Sequence, residues 1–302
     1  MNTHVKGYFW ACISSATFGL IALFALPLTQ KGISHDSVLC YRFAGASLFL
    51  ALWMIFKKES FAIAKKEMGL LALLGVLYAL SAQYLFLSYD YLGVGTASTI
   101  LFLYPVFVAV LMAVFFKEKI KMATLAAILI AFLGISLLYK GDQGKSLNPL
   151  GIGTILLSAL SYAIYIVVVN KSRVQHFSGY KLTFYVMTLS SVYFLIKAQT
   201  TGGLMLLPDT VSWVNLALLS LLATALSCVA MVFAVQYVGS TATAILGALE
   251  PVVAVAVGVL AFNEAITGSL ILGVLLILIA VSLIVLSDYF YKRLADQKIL
   301  TK

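Results

Sequence analysis

The sequence GSTATAILGALEPVVAVAVGVLAFNE, residues Gly239–Glu264, is the most informative part of the chain because it has a counterpart elsewhere. The counterpart is GVGTASTILFLYPVFVAVLMAVFFKE, residues Gly93–Glu118, and it lies 146 positions earlier. Without a gap, Pro105 matches Pro251, and both stretches begin on glycine and end on glutamate. The registration of these residue types predicts an internal duplication, which fixes the architecture before any other question.

The composition predicts a protein that lies in a lipid bilayer. The 302 residues are 63% hydrophobic and 10% charged, with a mean hydropathy of +1.06. A soluble core cannot hide that much apolar surface. A membrane-spanning helix needs about 20 mostly apolar residues, whereas barrel strands would alternate in polarity over about 10 residues, a pattern absent here. We therefore expect an all-α polytopic membrane protein.

The apolar runs predict ten transmembrane helices in two repeats of five. The predicted spans are Gly7–Leu28, Ser37–Phe56, Met68–Ser88, Gly95–Phe116, Met122–Tyr139, Leu150–Asn170, Tyr180–Ile196, Trp213–Ala234, Thr241–Phe262 and Ile266–Leu286. The predicted units are a first repeat, a polar linker, a second repeat and a basic cytoplasmic tail, at residues 1–140, 141–149, 150–287 and 288–302.

Lysine and arginine residues predict the orientation. With a cytoplasmic amino terminus, the inner segments hold fifteen of these residues and the outer segments four. The outer four are Lys31, Lys140, Lys145 and Lys197. Both termini are therefore expected in the cytoplasm, and the net charge of +9 needs no nucleic-acid partner to explain it. Five crossings per repeat make the second copy enter from the opposite side, so the two repeats are predicted to be inverted. Inverted repeats are typical of carriers that bind substrate at the repeat interface and open alternately to each side.

Glu250 is the main candidate for chemistry, because it is the only carboxylate deep inside an apolar run. An ionised side chain at such depth is costly unless it is paired or faces water. As a cavity residue it could bind a cationic amine or carry a coupling proton. The alternative is a structural glutamic acid that braces helix packing. Its repeat mate is Tyr104, so the cavity is expected to be chemically asymmetric.

Further candidates for substrate binding share a hydroxyl or an amide within a predicted span. They are Ser14, Tyr78, Ser81, Gln83, Tyr84, Tyr104, Tyr162, Thr224 and Ser227. Each could instead make a local backbone or interhelical hydrogen bond.

Two pairs of matched residues are expected to have structural roles. Pro105 and Pro251 lie in the middle of predicted spans, where proline kinks a helix. Glu118 and Glu264 end their spans and are expected to cap the first turn of the following helix, although each could also act in a gate.

Arg42 lies near the start of the second span. The prediction for it is structural, with the side chain reaching outward or pairing with Asp36.

Metal and cofactor sites are not predicted. The cysteines are scattered, and the histidines lie in loops or tails without a second ligand at metal spacing. These residues are Cys12, Cys40, Cys228, His4, His35 and His176. No nucleotide-binding loop or catalytic motif appears, so an enzyme is not expected.

The paired segments LYPVFVAVLMAVFFKEKI and LEPVVAVAVGVLAFNEAI, with their openings GVGTAST and GSTATA, resemble the EamA family of the drug/metabolite transporter superfamily. The resemblance implies a secondary-active carrier of the bacterial inner membrane with a cavity built from both halves. The expected activity is export of a small metabolite such as an amino acid. A proton is the candidate coupling ion, and a monomer is the expected oligomeric state. Uptake or exchange of another metabolite or drug, a channel and a membrane-embedded enzyme are the alternatives.

Overall fold

The computed structural model describes residues 3–117, 122–140, 147–247 and 249–300. Within these residues the fold is all-helical, and no strand is formed. The first half contains α1 Thr3–Gly19, α2 Ile21–Gln30, α3 His35–Phe56, α4 Lys65–Leu92, α5 Val94–Leu101, α6 Tyr104–Phe116 and α7 Met122–Lys140. The second half contains α8 Pro149–Lys171, α9 Gly179–Thr200, α10 Thr210–Ser220, a π-helical segment Leu221–Leu226, α11 Ser227–Leu246, α12 Leu249–Phe262 and α13 Gly268–Leu300.

Short polar residues mark where several helices begin. The side chains of Ser34, Ser178 and Asp209 accept hydrogen bonds from backbone N–H groups in the first turns of α3, α9 and α10. Such caps satisfy backbone donors that have no partner inside the helix. The apolar composition of the helices then lets them extend through a lipid phase, where every backbone group needs an internal partner.

Helix boundaries repeat at the same offset of 146 residues that the sequence shows. The helix α6 ends at Phe116 and α12 at Phe262, while α7 begins at Met122 and α13 at Gly268. The duplicated sequence therefore folds into helices with duplicated limits.

The core lies between the two halves, because the main helix pairs join one half to the other. The helix α1 packs along α11, and the corresponding pair α4 and α8 packs likewise. The contact of α6 with α8 likewise has an equivalent, the contact of α12 with α1. Two helices pack against their own repeat mates: α3 against α9, and α7 against α13. Hydrogen bonds follow this pattern, since the carbonyl of Ser227 accepts from Ser14 Oγ at 2.8 Å and the carbonyl of Ser81, its repeat mate, accepts from Ser158 Oγ at 2.7 Å.

Several predicted spans have different limits in the structure. The first span divides at Leu20 into α1 and α2, and the fourth divides at Phe102 and Leu103 into α5 and α6. The predicted break between the eighth span, Trp213–Ala234, and the ninth, Thr241–Phe262, is wrong, because α11 continues through residues 235–240 and ends at Leu246. Alanine, serine and threonine do not prevent a helix there, and no proline interrupts this part of the chain.

Six helical stretches within the described residues, two of which include the interruptions described above, are long and apolar enough to cross a membrane. They are Val5–Gln30, His35–Phe56, Lys65–Leu92, Val94–Phe116, Pro149–Lys171 and Thr210–Val238. Shorter apolar helices occupy Leu125–Leu137, Leu249–Phe262 and Gly268–Leu283. The chain is therefore a multi-pass membrane protein.

Candidate functional site

A small cavity lies between the two halves, in the part of the fold that the apolar helices enclose. Its volume is about 80 Å³. The lining residues are Phe18, Ile21, Arg42, Tyr78, Ser81, Ala82, Leu85, Leu101, Tyr104, Tyr162, Met231 and Glu250. Ligand pockets usually measure about 300–1,000 Å³, so the cavity is constricted in this conformation.

Arg42 is the cavity residue that the sequence analysis assigned wrongly. Its side chain is 3% exposed, and it points into the cavity instead of outward. The predicted partner Asp36 accepts hydrogen bonds from Lys197 Nζ, at 2.7 Å, and from Thr201 Oγ1, at 3.2 Å. Arg42 lies eight residues beyond Ser34, or about 12 Å along the helix axis at 1.5 Å per residue, which takes its guanidinium well away from the helix end. A lone arginine within an apolar span was the signal that could have identified it.

Thr224, a predicted substrate contact, lies behind Arg42 and not on the cavity wall. Its Oγ1 accepts a hydrogen bond from Arg42 Nε at 2.8 Å and donates to the carbonyl of Leu219, also at 2.8 Å. The donation to a carbonyl five residues earlier belongs to the π-helical segment Leu221–Leu226. Such segments are rare and often occur at functional sites.

Glu250 faces the same cavity from the second half. It lies in the first turn of α12, and its carboxylate makes no hydrogen bond or ion pair within 4.0 Å with any part of the chain that the structure describes. Helix α1 approaches this turn closely at Gly19, where an added Cβ would lie 2.8 Å from the carbonyl oxygen of Glu250. Only glycine permits this approach, which brings the two halves together beside the cavity.

Tyrosines form the wall that connects Glu250 to the first half. The rings of Tyr104 and Tyr162 meet edge to face with centroids 4.8 Å apart, and Tyr78 lies 6.1 Å from Tyr162. A further tyrosine, Tyr165, stacks on Tyr162 with centroids 5.8 Å apart. The cavity is consequently amphipathic, with aromatic faces and hydroxyl groups next to two ionisable side chains.

The remaining predicted contacts lie outside the described lining of the cavity. Gln83 accepts a hydrogen bond from the Tyr193 hydroxyl at 3.2 Å, and Tyr84 is half-buried on the same helix. Ser14 and Ser227 join α1 to α11 through the hydroxyl-to-carbonyl bond described above. Gln83, Ser14 and Ser227 therefore make interhelical hydrogen bonds, the alternative that was kept open for such residues. Ser81 both lines the cavity and bonds to Ser158.

The two matched prolines stand in the first turns of helices instead of in continuous kinked helices. Pro105 follows the interruption at Phe102 and Leu103, and Pro251 lies in the first turn of α12. Proline costs little there, since its missing N–H would have had no helical partner. The interruptions border the cavity through Leu101, Tyr104 and Glu250.

Glu264 caps a helix of the opposite half, although the sequence analysis expected the helix that follows it. Its carboxylate accepts hydrogen bonds from the backbone N–H groups of Val94 and Gly95, at the start of α5. The matched residue Glu118 lies outside the described residues.

A wider pocket of about 640 Å³ lies at the end of the molecule that holds Glu264. Its polar lining includes Ser34, His35, Asp90 and Glu264. The helix α4 contributes Tyr89 to this pocket and Leu85, one helical turn away, to the cavity.

Among the described residues, no group of three or more metal-ligating side chains comes together. Cys12, Cys40 and Cys228 are free thiols.

These features define a multi-pass membrane protein with an ionisable, tyrosine-lined cavity between two related halves. The sequence model of the EamA-like transporter family matches residues 5–140 and again residues 149–286. The chain therefore belongs to the EamA-like transporter family, as its paired segments predicted.

Curated relatives carry the description of uncharacterized transporters. One from Archaeoglobus fulgidus is 29% identical over 59% of this chain, and the match spans only 62% of that relative's own length. One from Clostridium kluyveri is 21% identical over 91% of each chain, and one from Synechocystis is 30% identical over 70% of this chain and 64% of its own. A solved crystal structure superposes with a TM-score of 0.66 over 97% of this chain and 98% of the other, at 14% identity. That likeness concerns the fold alone.

Proposed function

We propose that this protein is a secondary-active carrier that exports a small polar or amphipathic metabolite, such as an amino acid, by alternating access. The observation that carries the proposal is the central cavity, to which the first half contributes Arg42 and the second half Glu250. Ionisable groups inside the membrane are costly, and they commonly mark substrate or ion pathways. The family membership supports a transporter rather than an enzyme.

The proposed architecture is ten membrane-spanning helices in two inverted repeats of five. Reciprocal helix pairing supports it, because each contact of α1 with α11 or α12 has an equivalent in the contacts of α8 with α4 or α6. Such exchange of equivalent surfaces is typical of two halves related by a twofold axis. With an odd number of crossings per half, that axis lies in the membrane plane.

The proposed topology has both termini in the cytoplasm of a bacterial cell, with the protein in the inner membrane. Loops expected on the same face contact one another, which supports the assignment of loops to faces. Lys31 bonds Asp209 at 2.7 Å on the proposed outer face, and Ser178 Oγ donates to Glu59 at 2.5 Å on the proposed inner face.

Alternating access requires the cavity to enlarge, since about 80 Å³ holds only a few water molecules at about 30 Å³ each. The helix interruptions before Pro105 and Pro251 are the proposed hinges. The backbone there is held by turn-type hydrogen bonds, such as those from the N–H of Leu103 to the carbonyl of Ile100 and from the N–H of Glu250 to the carbonyl of Gly247, so its angles can change without breaking a continuous helix. Both interruptions border the cavity, so movement there would change its volume. Glu250 is the proposed site of the coupling proton.

Counterflow in proteoliposomes tests the carrier. Vesicles loaded with an unlabelled amino acid should accumulate the labelled compound transiently and saturably, since a carrier exchanges one bound molecule for another. The amino acid is first chosen by comparing efflux and resistance to toxic analogues in cells with and without the protein. Unsaturable flux would indicate a channel, and absence of flux for every tested metabolite would contradict the proposal. Imposed gradients of substrate then distinguish export from uptake or exchange.

A further inference from the structure

We infer that Arg42 is the anion-recognition residue of the cavity, that Thr224 positions it, and that the ligand carries a carboxylate toward Arg42 and an ammonium group toward Glu250. The inference rests on the proposed carrier function, and it names the two recognition groups and the ligand chemistry that they select.

One nitrogen of the Arg42 guanidinium bonds to the protein, and the others face the cavity. Within the described residues its only hydrogen bond runs from Nε to Thr224 Oγ1, at 2.8 Å. The guanidinium carbon lies 5.2 Å from the ring centroid of Phe43 and 6.0 Å from that of Phe86, so two aromatic rings flank the charge. The terminal nitrogens remain available to the cavity that the residue lines. A guanidinium presented in this way fits a carboxylate, which can accept two parallel hydrogen bonds.

Thr224 orients Arg42 because its hydroxyl can bond in one direction only. The hydroxyl proton is committed to the carbonyl of Leu219 at 2.8 Å, so the oxygen accepts from Arg42. The π-helical segment Leu221–Leu226 makes this possible, since its wider turn brings the carbonyl five residues earlier within reach of the threonine hydroxyl. In an α-helix the hydroxyl would meet the carbonyl three or four residues earlier. The π-helical segment therefore helps to hold the Arg42 side chain in its direction toward the cavity.

Glu250 supplies the opposite charge without neutralising Arg42 directly. No ion pair within 4.0 Å joins these two side chains, both of which belong to the described part of the chain. Two separated and desolvated charges are unfavourable, and a ligand with both an anionic and a cationic end would pair each of them. The edge-to-face tyrosines Tyr104 and Tyr162 offer an aromatic surface for the ligand's side chain.

Binding to the purified protein in detergent tests the inference without requiring transport. The probes are the standard L-amino acids, each compared with its α-amide, which lacks the negative charge, and its N-acetyl derivative, which lacks the positive charge. For the amino acid that binds most tightly, both derivatives should bind at least about tenfold more weakly, because each leaves one buried charge unpaired. Arg42→Gln should weaken binding of the free acid by about 10- to 100-fold while leaving the amide almost unchanged.

The ratio of the affinity for the acid to the affinity for the amide controls for misfolding. A poorly folded variant loses affinity for both compounds, so its ratio stays the same. Thr224→Val should reduce the same ratio in part, since Arg42 keeps its charge but loses its fixed direction. Thr188→Val is the matched control: it removes a partly buried hydroxyl bond to α3, to Ser47 at 2.6 Å, and should leave the ratio unchanged.

Three results would overturn the inference: no free amino acid binds, the amide binds as well as the acid, or Arg42→Gln keeps the wild-type ratio. Counterflow of the bound amino acid separates these results from the fate of the carrier. Counterflow without discrimination between acid and amide would refute the recognition by Arg42 and leave the carrier intact. Binding with the expected discrimination but no counterflow would refute the carrier and leave the recognition site.

Discussion

Gly95 donates its backbone N–H to Glu264 Oε2 at 3.1 Å, and this hydrogen bond joins the two halves of the protein. Glu264 also accepts from the backbone of Val94, so one carboxylate holds the start of α5. Glycines make room for it, since an added Cβ at Gly93 would lie 2.7 Å from Oε1 and one at Gly258 would lie 2.3 Å from Oε2. This arrangement, here called the Glu264 latch, closes one end of the interface beside the wider pocket.

We predict that Glu264→Ala lowers stability by about 1 kcal/mol, the usual cost of losing a helix cap, and changes the rate of counterflow. The reason is that the latch must break whenever the halves separate at this end. Glu67→Ala is the matched control, because Glu67 accepts from the backbone N–H of Ala64 within the same half, at 2.7 Å. Thermal unfolding in detergent should show a similar loss for both variants. Equal counterflow by Glu264→Ala and wild-type protein would exclude the latch from the transport cycle.

Gly93→Ala should destabilise the protein by about 1–2 kcal/mol, because its φ of +75° suits glycine and the new methyl group would collide with Glu264. Gly153→Ala provides the comparison. Gly153 lies within α8, and an added Cβ there meets no atom within 4 Å. That substitution should be neutral or stabilising by up to about 1 kcal/mol, since alanine is the better helix former. Equal unfolding temperatures for the two variants would contradict this prediction.

The ion pair between Lys31 and Asp209 should respond to acid. The hydrogen bond from Lys31, followed by that from the backbone N–H of Ser212, lowers the pKa of Asp209 to about 2. Because this pKa is depressed, the pair's stabilising effect is complete above about pH 4, the ordinary range for aspartate, and is lost as the pH falls toward 2. Lys31→Met should raise the pKa of Asp209 only part of the way, because the Ser212 bond remains. A carbon-13 NMR titration of Asp209 would measure both values, and an unchanged pKa in Lys31→Met would contradict the assigned cause.

Glu250→Gln should abolish accumulation driven by a proton gradient, while counterflow stays measurable at raised substrate concentration, where the weaker binding of the ligand's ammonium group is offset. A glutamine can occupy the same position and accept hydrogen bonds, but it cannot take up and release a proton. Counterflow and gradient-driven transport should therefore be measured on the same proteoliposomes, with Glu67→Gln as the control for removal of a carboxylate elsewhere. Full gradient-driven transport by Glu250→Gln would exclude Glu250 as the proton carrier.

The proposed topology predicts opposite labelling of two exposed loops. In a background without the three native cysteines, Leu206→Cys should react with an impermeant maleimide added outside cells. Ser60→Cys, in an exposed loop at the other end, should react only after the membrane is opened. The reverse pattern would invert the orientation, and labelling of both from outside would contradict the assignment of these loops to opposite faces.

Composition and repeat pattern alone predicted a helical chain, apolar enough for a bilayer and duplicated at an offset of 146 residues. The sequence also singled out Glu250, because a carboxylate within an apolar run is visible without any tertiary structure. The candidates Tyr78, Tyr104 and Tyr162 were named because each carries a hydroxyl within a predicted span, and all three lie on the cavity wall.

Which helix face packs against which helix of the other half became visible in the folded protein. Arg42 points inward because Thr224, 182 residues away, accepts its hydrogen bond, and Glu264 caps α5 instead of the helix that follows it. No local pattern in the sequence carries this information. The physical reason is that periodicity describes one helix at a time, whereas the partner of a buried charge is set by the packing of two halves that are distant along the chain.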